Sequence, residues 1–196
     1  HTYVIAGDGC LMEGISQEAI SIAGHLKLSK LIVLWDDNEI SIDGNTNLTT
    51  SDDQCARFEA SGWDSQRVDG HDPAAINKAI AKAKKSKKPS LIACKTIIGY
   101  GAPTKGGTHH THGSPLGDDE IKGMRKALDW EYPAYVVPKD VLNAWRTAGA
   151  RGAADHAAWE KRTKRMKSAA EMKKTATGKL PAGWTIKLNA FKKKMA

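Results

Sequence analysis

The sequence predicts an α/β protein with a mostly parallel sheet and helices on both faces. The apolar runs TYVIA and LIVLW have the composition of strands, and the segment between them has the length and spacing of a helix. A third apolar run, SLIACKTII, follows a second helical segment. Strands that alternate with helices pair in parallel, so we expect all three runs in one sheet.

The first helix is predicted to begin within a turn of the sequence Gly7-Asp8-Gly9. LIVLW, which follows it, is continuously apolar, as is typical of a parallel strand buried on both faces. The helix itself has an apolar stripe at i, i+4, i+7, i+8 and i+11, which we expect to pack on the sheet. This stripe consists of Ile15, Ala19, Ile22, Ala23 and Leu26.

The middle of the chain predicts a short helix over 52–62, a strand over 63–68 and a second long helix. Ala56 and Phe58 are expected to face inward in the short helix. Asp72 and Pro73 form a helix start, with Asp72 as N-cap and Pro73 at the first helical position. That helix carries apolar residues at helical spacing, namely Ile76, Ala79, Ile80 and Ala83.

The last third of the chain begins with a glycine-rich loop, GYGAPTKGGTHHTHGSPLG. We expect helices over 118–128 and 141–146 and one amphipathic helix over 155–174. The prediction for domains is therefore a partial α/β domain over 1–130, with 131–196 as a helical, basic extension of the same domain.

Composition narrows the choice of partners. The net charge of +8 comes from residues 151–196, which contain 13 lysines and arginines against three acidic residues. Such a tail can be an arm for nucleic acid or a solvated helical face. We favour the solvated face and expect no nucleic-acid partner, because aromatic residues are not interleaved with the basic ones for base stacking: Trp159 and Trp184 stand 25 residues apart.

Neither a membrane partner nor secretion is predicted. No apolar run approaches the length of a membrane span, and no signal-peptide pattern opens the chain. Cys10, Cys55 and Cys94 are widely spaced and odd in number, which favours reduced thiols in the cytoplasm.

The chain begins with His1 directly before a strand, so we expect a fragment or a split subunit.

Two polar residues follow the first two predicted strands. Asp8 comes directly after the first strand, and Asn38 lies about thirty residues further on, after the second. Loops after parallel strands lie at the same edge of a sheet, so these side chains should be neighbours. With the carbonyl of Ile40 they offer three oxygens to Mg²⁺ or Ca²⁺, which leaves positions for a diphosphate and a water. Gly9 would let the backbone approach that diphosphate closely.

Other phosphate motifs do not fit. The dinucleotide fingerprint G-x-G-x-x-G is absent, because Gly7-Asp8-Gly9 is followed by Leu11-Met12. GAPTKGGT lacks the Gly-Lys-Ser/Thr order of a P-loop and does not lie between a strand and a helix.

The combination of Gly7-Asp8-Gly9 and Asn38 resembles the thiamine-diphosphate-binding motif, and the chain resembles transketolases. The resemblance extends over GDGCLMEGISQEA, DDNEISIDG, RFEASGW, DGHD, KPSLIACKTIIGYG, THHTHGSPLG and KALDW. It implies transfer of a two-carbon ketol unit from a ketose phosphate to an aldose phosphate, through thiamine diphosphate, in the pentose phosphate pathway. It also implies a homodimer with each cofactor at the subunit interface.

The resemblance assigns roles to residues of this chain. It implies Asp8, Asn38 and the Ile40 carbonyl as ligands of Mg²⁺, with Ca²⁺ or Mn²⁺ as alternatives. Gly9 and Asn38 would contact the diphosphate. Ile42 and Ile98 would lie around the thiazolium and aminopyrimidine rings, and His112 would touch cofactor and substrate and move protons as a catalytic residue.

Other histidines and one glutamate have competing interpretations. Glu13 would belong to the network that links the two cofactors, or would simply be an acid favoured at a helix start. His109, His110 and His112 could together bind a transition metal, although no cysteine or acidic partner lies at ligand spacing. His25 and His71 are interpreted as structural.

The implied enzyme is larger than this chain. The glutamate that activates the aminopyrimidine comes, in this family, from a pyrimidine-binding domain that the chain lacks, so we expect catalysis to need that domain. The alternatives are another thiamine-diphosphate enzyme, such as dihydroxyacetone synthase, deoxyxylulose-phosphate synthase or a 2-oxo-acid dehydrogenase, or a non-catalytic fragment that binds the cofactor or an anionic partner. THHTHGSPLG argues against the deoxyxylulose-phosphate synthase and dehydrogenase branches.

Overall fold

The computed structural model describes residues 1–195. The chain divides into two compact units, His1–Glu131 and Tyr132–Ala196. The first contains the sheet and every candidate site residue named above. Among the described residues of the second, all regular structure is helical.

The first unit is built on a sheet of four parallel strands in the order β1-β2-β4-β3. The prediction of a parallel α/β sheet is confirmed. Gly7 at the end of β1 lies opposite Asp36 of β2, which in turn lies opposite Cys94 of β4. The carboxyl ends of these three strands therefore form one edge. The strands are β1 Thr2–Gly7, β2 Leu31–Asp37, β3 Asp64–Asp69 and β4 Ser90–Lys95.

Helices cover both faces of the sheet. On one face lie α1 Asp8–Met12, α2 Gly14–His25 and α3 Gln54–Ala60. Their core consists of Leu11, Ile20, Ala23, Cys55 and Phe58 against Val33, Trp35, Trp63 and Leu91. On the other face α4, Pro73–Ala83, packs Ala79 and Ala83 on Ile32, Ile92 and Cys94. The predicted start of α4 is confirmed, because the Asp72 carboxylate accepts bonds from the backbone N–H groups of Ala74 and Ala75.

The predicted buried stripe of the first helix is confirmed only at Ala23 and is wrong at its other four residues. Ile15, Ile22 and Leu26 are 71%, 59% and 57% exposed, and the buried residues of α2 are Ile20, Ala23 and Gly24. The predicted helix is in fact two helices, separated at Glu13, whose backbone is extended. In α3, likewise, Phe58 is buried as predicted, whereas Ala56 is exposed and Cys55 takes its place.

The remaining helices begin with α5, Asp118–Ala127, close to its predicted bounds. The single helix predicted over 155–174 is wrong, because the chain turns between α7 and α8, where Arg165 and Met166 donate backbone bonds to carbonyls three residues earlier. No helix within residues 1–195 is long and apolar enough to cross a membrane. The helices after α5 are α6 Lys139–Ala150, α7 Ala153–Lys164, α8 Ala169–Ala176 and α9 Trp184–Met195.

Candidate functional site

The carboxyl edge of the sheet brings Asp8 to the turn that contains Asn38. Asp8 follows β1 and Asn38 follows the adjacent parallel strand β2. The Glu39 N–H donates to Asp8 Oδ2 at 3.0 Å, and the backbone of Asn38 also hydrogen-bonds this carboxylate. The structure therefore places the two residues side by side, at the same end of the sheet.

The Asp8 carboxylate is buried, with 8% of the residue exposed. The indole of Trp35, across the strand pair, donates from Nε1 to Asp8 Oδ1 at 3.1 Å. Burial raises the pKa of Asp8, and the negative charge of Asp37 adds to this effect, while the bonds from Trp35 and the backbone lower it. The net shift is upward, and none of the ion pairs among residues 1–195 includes Asp8.

The Asn38 amide is held at both ends. Its Nδ2 donates to Asp36 Oδ2 at 3.1 Å, and its Oδ1 accepts the N–H of Ile40 at 2.9 Å. Glu39 between them has a φ of 60°, in the left-handed region. This residue reverses the chain, so that Ile40 returns to the Asn38 side chain.

A lysine that the sequence did not single out neutralises part of this acidic edge. Lys95, opposite Asp37 in the sheet, lies 3.7 Å from Asp37 Oδ1 and 2.8 Å from Glu39 Oε1. Burial raises the pKa of Asp37, and Lys95 opposes that effect. Only the strand register reveals this partner, because Lys95 lies far from the Asp-Asp-Asn motif in sequence.

A cleft of about 380 Å³ opens beside Asp8. Arg67, on its wall, pairs with Asp53 at 2.6 Å. The cleft is therefore acidic and polar, and neither of the two cations beside it, Lys95 or Arg67, pairs with Asp8. Its lining includes Asp8, Met12, Trp35, Asp37, Glu39, the 45–47 and 50–54 segments and Arg67.

The other predicted site residues lie on α1 and on two loops. Gly9 is exposed in α1, and a Cβ added there would meet no atom within 4 Å. Ile42 is 72% exposed in the loop after β2. Ile98 is half-buried and His112 exposed, both in the loop after β4. No hydrogen bond among residues 1–195 joins Ile98 or His112 to Asp8 or Asn38.

His71, interpreted as structural from the sequence, anchors the start of that last loop. Its Nε2 accepts the N–H of Ile97 at 2.9 Å, and its ring stacks on Tyr100 with centroids 4.1 Å apart. His71 thereby holds the segment that contains Ile98. Glu13 is exposed at the N-cap of α2 and makes no capping hydrogen bond.

The loop histidines do not assemble a transition-metal site. His109 and His110 have ring centroids 4.1 Å apart. Within the described part of the chain, however, no three side chains of histidine, cysteine, aspartate or glutamate are grouped so as to hold a metal. A hard cation bound by one carboxylate, one amide and one carbonyl oxygen is a different kind of site, and Asp8, Asn38 and Ile40 are the residues that offer these groups.

The fold and this edge define a thiamine-diphosphate-binding domain. Residues 1–181 match the family model described as "Transketolase, thiamine diphosphate binding domain". The chain belongs to this family.

Individual relatives agree with the family match. The chain is 58% identical, over 159 residues, to a transketolase of Sinorhizobium medicae, a match that covers 81% of this chain and 23% of the relative. Transketolase from Leishmania mexicana superposes with a TM-score of 0.79 at 38% identity, over 94% of this chain and 29% of that one. A Pichia stipitis transketolase in complex with sedoheptulose-7-phosphate gives a TM-score of 0.77 at 40% identity, over 94% and 28%. The chain thus spans about a quarter of the length of these relatives.

Proposed function

We propose that the carboxyl edge of the sheet binds thiamine diphosphate through a divalent cation, Mg²⁺ or in its place Ca²⁺ or Mn²⁺. The observation that carries the proposal is the buried Asp8 carboxylate, which contacts the turn containing Asn38 and Ile40. The two Asp8 oxygens accept hydrogen bonds from Trp35 and from the backbone of Asn38 and Glu39, which leaves one of their four lone pairs for a cation. A hard cation would supply the positive charge that burial of Asp8 demands.

The groups around the edge fit the rest of the cofactor. The open space at Gly9 allows a diphosphate to approach the backbone, and Asn38 would contact both diphosphate and cation. Ile42 and Ile98 are apolar residues on the loops at this edge, suited to contact the cofactor rings. When bound, thiamine diphosphate supplies the carbon nucleophile. His112, exposed on its loop, would hydrogen-bond cofactor and substrate and move a proton at the donor hydroxyl.

The reaction we propose for the whole protein is transfer of a two-carbon ketol unit between sugar phosphates. The relative from Pichia stipitis in complex with sedoheptulose-7-phosphate supports this substrate class. The much greater length of the relatives supports a separate pyrimidine-binding domain, in the same or another chain, and a homodimer is proposed on the same resemblance. Residues 1–130 would form the cofactor-binding domain, with 131–196 as its extension. Three free cysteines are consistent with a cytoplasmic role in the pentose phosphate pathway.

Calorimetry tests the cofactor site directly. Thiamine diphosphate is titrated into the chain with and without Mg²⁺, for the wild type, Asp8→Ala and Asp43→Ala. Asp43 is a matched control, because it is an exposed aspartate on the loop after β2. We expect Mg²⁺-dependent binding in the wild type and in Asp43→Ala and its loss in Asp8→Ala. Unchanged binding by Asp8→Ala would reject the metal assignment.

A ketol-transfer assay tests the need for the rest of the enzyme. The chain alone, supplied with thiamine diphosphate and Mg²⁺, is expected to show no turnover with a ketose phosphate donor and an aldose phosphate acceptor. Full turnover by these 196 residues would contradict the proposed division of the site between domains.

A further inference from the structure

The Asn38 amide lies between a group that only accepts hydrogen bonds and a group that only donates them. Asp36 Oδ2 accepts from Asn38 Nδ2 at 3.1 Å, and the Ile40 N–H donates to Asn38 Oδ1 at 2.9 Å. An ionised carboxylate has no donor and a backbone N–H has no lone pair. Turning the amide over would place oxygen against oxygen and N–H against N–H. The amide therefore has one orientation.

The Asp36 carboxylate is itself held by Thr96, the residue that follows strand β4. Its second oxygen, Oδ1, accepts a hydrogen bond from the Thr96 hydroxyl. The Thr96 N–H in turn donates to the Asp37 carbonyl at 3.1 Å, which continues the pairing of β2 with β4 beyond Lys95. The half-buried Asp36 side chain is thus tied to the sheet and not free to rotate into solvent.

We propose that Asp36, held by Thr96, is a positioning residue that turns the Asn38 amide so that its oxygen faces the divalent cation. The inference rests on the proposed metal-dependent binding of thiamine diphosphate. Hard cations in proteins take oxygen ligands, and an amide NH₂ cannot serve. Asn38 Oδ1 keeps a second lone pair beside the one that accepts from Ile40, so it can do both.

Mg²⁺ titration of the full chain, saturated with thiamine diphosphate, tests the proposal. Groups that orient a metal ligand typically contribute about ten- to a hundredfold to affinity, so Asp36→Ala should weaken Mg²⁺ binding by about tenfold or more. Asp36→Asn retains an oxygen acceptor and should recover most of the loss. Wild-type affinity in Asp36→Ala would overturn the inference.

The same substitution in an Asn38→Asp background separates orientation from other effects. A carboxylate has two equivalent oxygens, so it needs no partner to turn it. Asp36→Ala should then cause a much smaller loss of Mg²⁺ affinity than in the wild-type background, because only the attraction between the Asp36 charge and the cation is removed. An equal loss in both backgrounds would show that Asp36 acts in another way and would overturn the inference.

Two further comparisons complete the experiment. If the wild type itself shows no Mg²⁺-dependent cofactor binding, the proposed function fails and the inference falls with it; if the wild type binds and Asp36→Ala binds equally, only the inference falls. Should circular dichroism show Asp36→Ala unfolded, Thr96→Val removes the hydroxyl donor at constant shape. Weaker Mg²⁺ binding by Thr96→Val, restored in Thr96→Ser, would support the inference, and wild-type affinity in Thr96→Val would overturn it.

Discussion

Replacing Trp35 by phenylalanine would remove the indole N–H that donates to the buried Asp8 carboxylate. Trp63 offers a matched control in the same core, because it is also buried and donates from Nε1 to the neutral Ile20 carbonyl at 2.9 Å. Trp35→Phe and Trp63→Phe therefore delete the same atoms. They differ in the acceptor that loses its donor, which is the charged Asp8 carboxylate in Trp35→Phe and the neutral Ile20 carbonyl in Trp63→Phe.

The expected magnitudes follow from that difference. A hydrogen bond to a charged group contributes about 1.5–3 kcal/mol and one between neutral groups about 0.5–1.5 kcal/mol. The cost of the lost ring volume is common to both variants. At neutral pH Trp35→Phe should therefore lower the free energy of unfolding by about 1 kcal/mol more than Trp63→Phe. Urea unfolding at equilibrium measures both values.

The excess cost should depend on pH, which a simple packing defect would not show. The Trp35 bond lowers the Asp8 pKa, because it favours the ionised form, so its removal raises that pKa further. As the pH falls through the raised pKa, Asp8 becomes protonated and needs the donor less. The difference between the two variants should then shrink. Equal destabilisation at neutral pH, or a difference independent of pH, would refute the role given to Trp35.

Two further predictions concern packing and pH. A Cβ on Gly24 would lie 1.7 Å from the Ser61 carbonyl oxygen, so Gly24→Ala should destabilise the protein by about 3 kcal/mol or more. The control is Gly14→Ala at the start of the same helix, where a Cβ would meet nothing within 4 Å and stability should change by less than about 1 kcal/mol. Equal urea midpoints for the two variants would contradict the close approach of Gly24 to Ser61. Burial raises the pKa values of Asp8 and Asp37 above 3.8. In the Mg²⁺-free protein these two carboxyl groups therefore contribute stability below pH 3.8, and this contribution is lost as the pH rises through the raised pKa values. The increase in Tm caused by Mg²⁺ with thiamine diphosphate should accordingly be smallest in acid and grow toward neutral pH, and a constant increase in differential scanning fluorimetry would contradict this.

Much of the fold could be predicted because the relevant signals are local. Apolar runs of strand length and the Asp72 N-cap are properties of short segments, and both were found near their predicted places. The neighbourhood of Asp8 and Asn38 also followed from local signals, since parallel strands joined by a helix must end at one edge.

The errors arose where one helix depends on another element. The stripe predicted along α2 identified its buried face only at Ala23, although all its residues lie within α2 or at its C-cap. The face that is buried is selected by Gly24, whose missing side chain admits the Ser61 carbonyl. No periodicity within α2 contains that information, because Ser61 belongs to the turn before β3.

By itself, the sequence determined the class of fold, the family and the pair of oxygen-bearing residues, because these depend on residue type and spacing along the chain. Only the tertiary structure decided how those residues are held. Trp35 donates to Asp8, Thr96 donates to Asp36, and Lys95 neutralises Asp37 and Glu39. These partners meet because β2 lies between β1 and β4, and that order is set by the packing of whole elements.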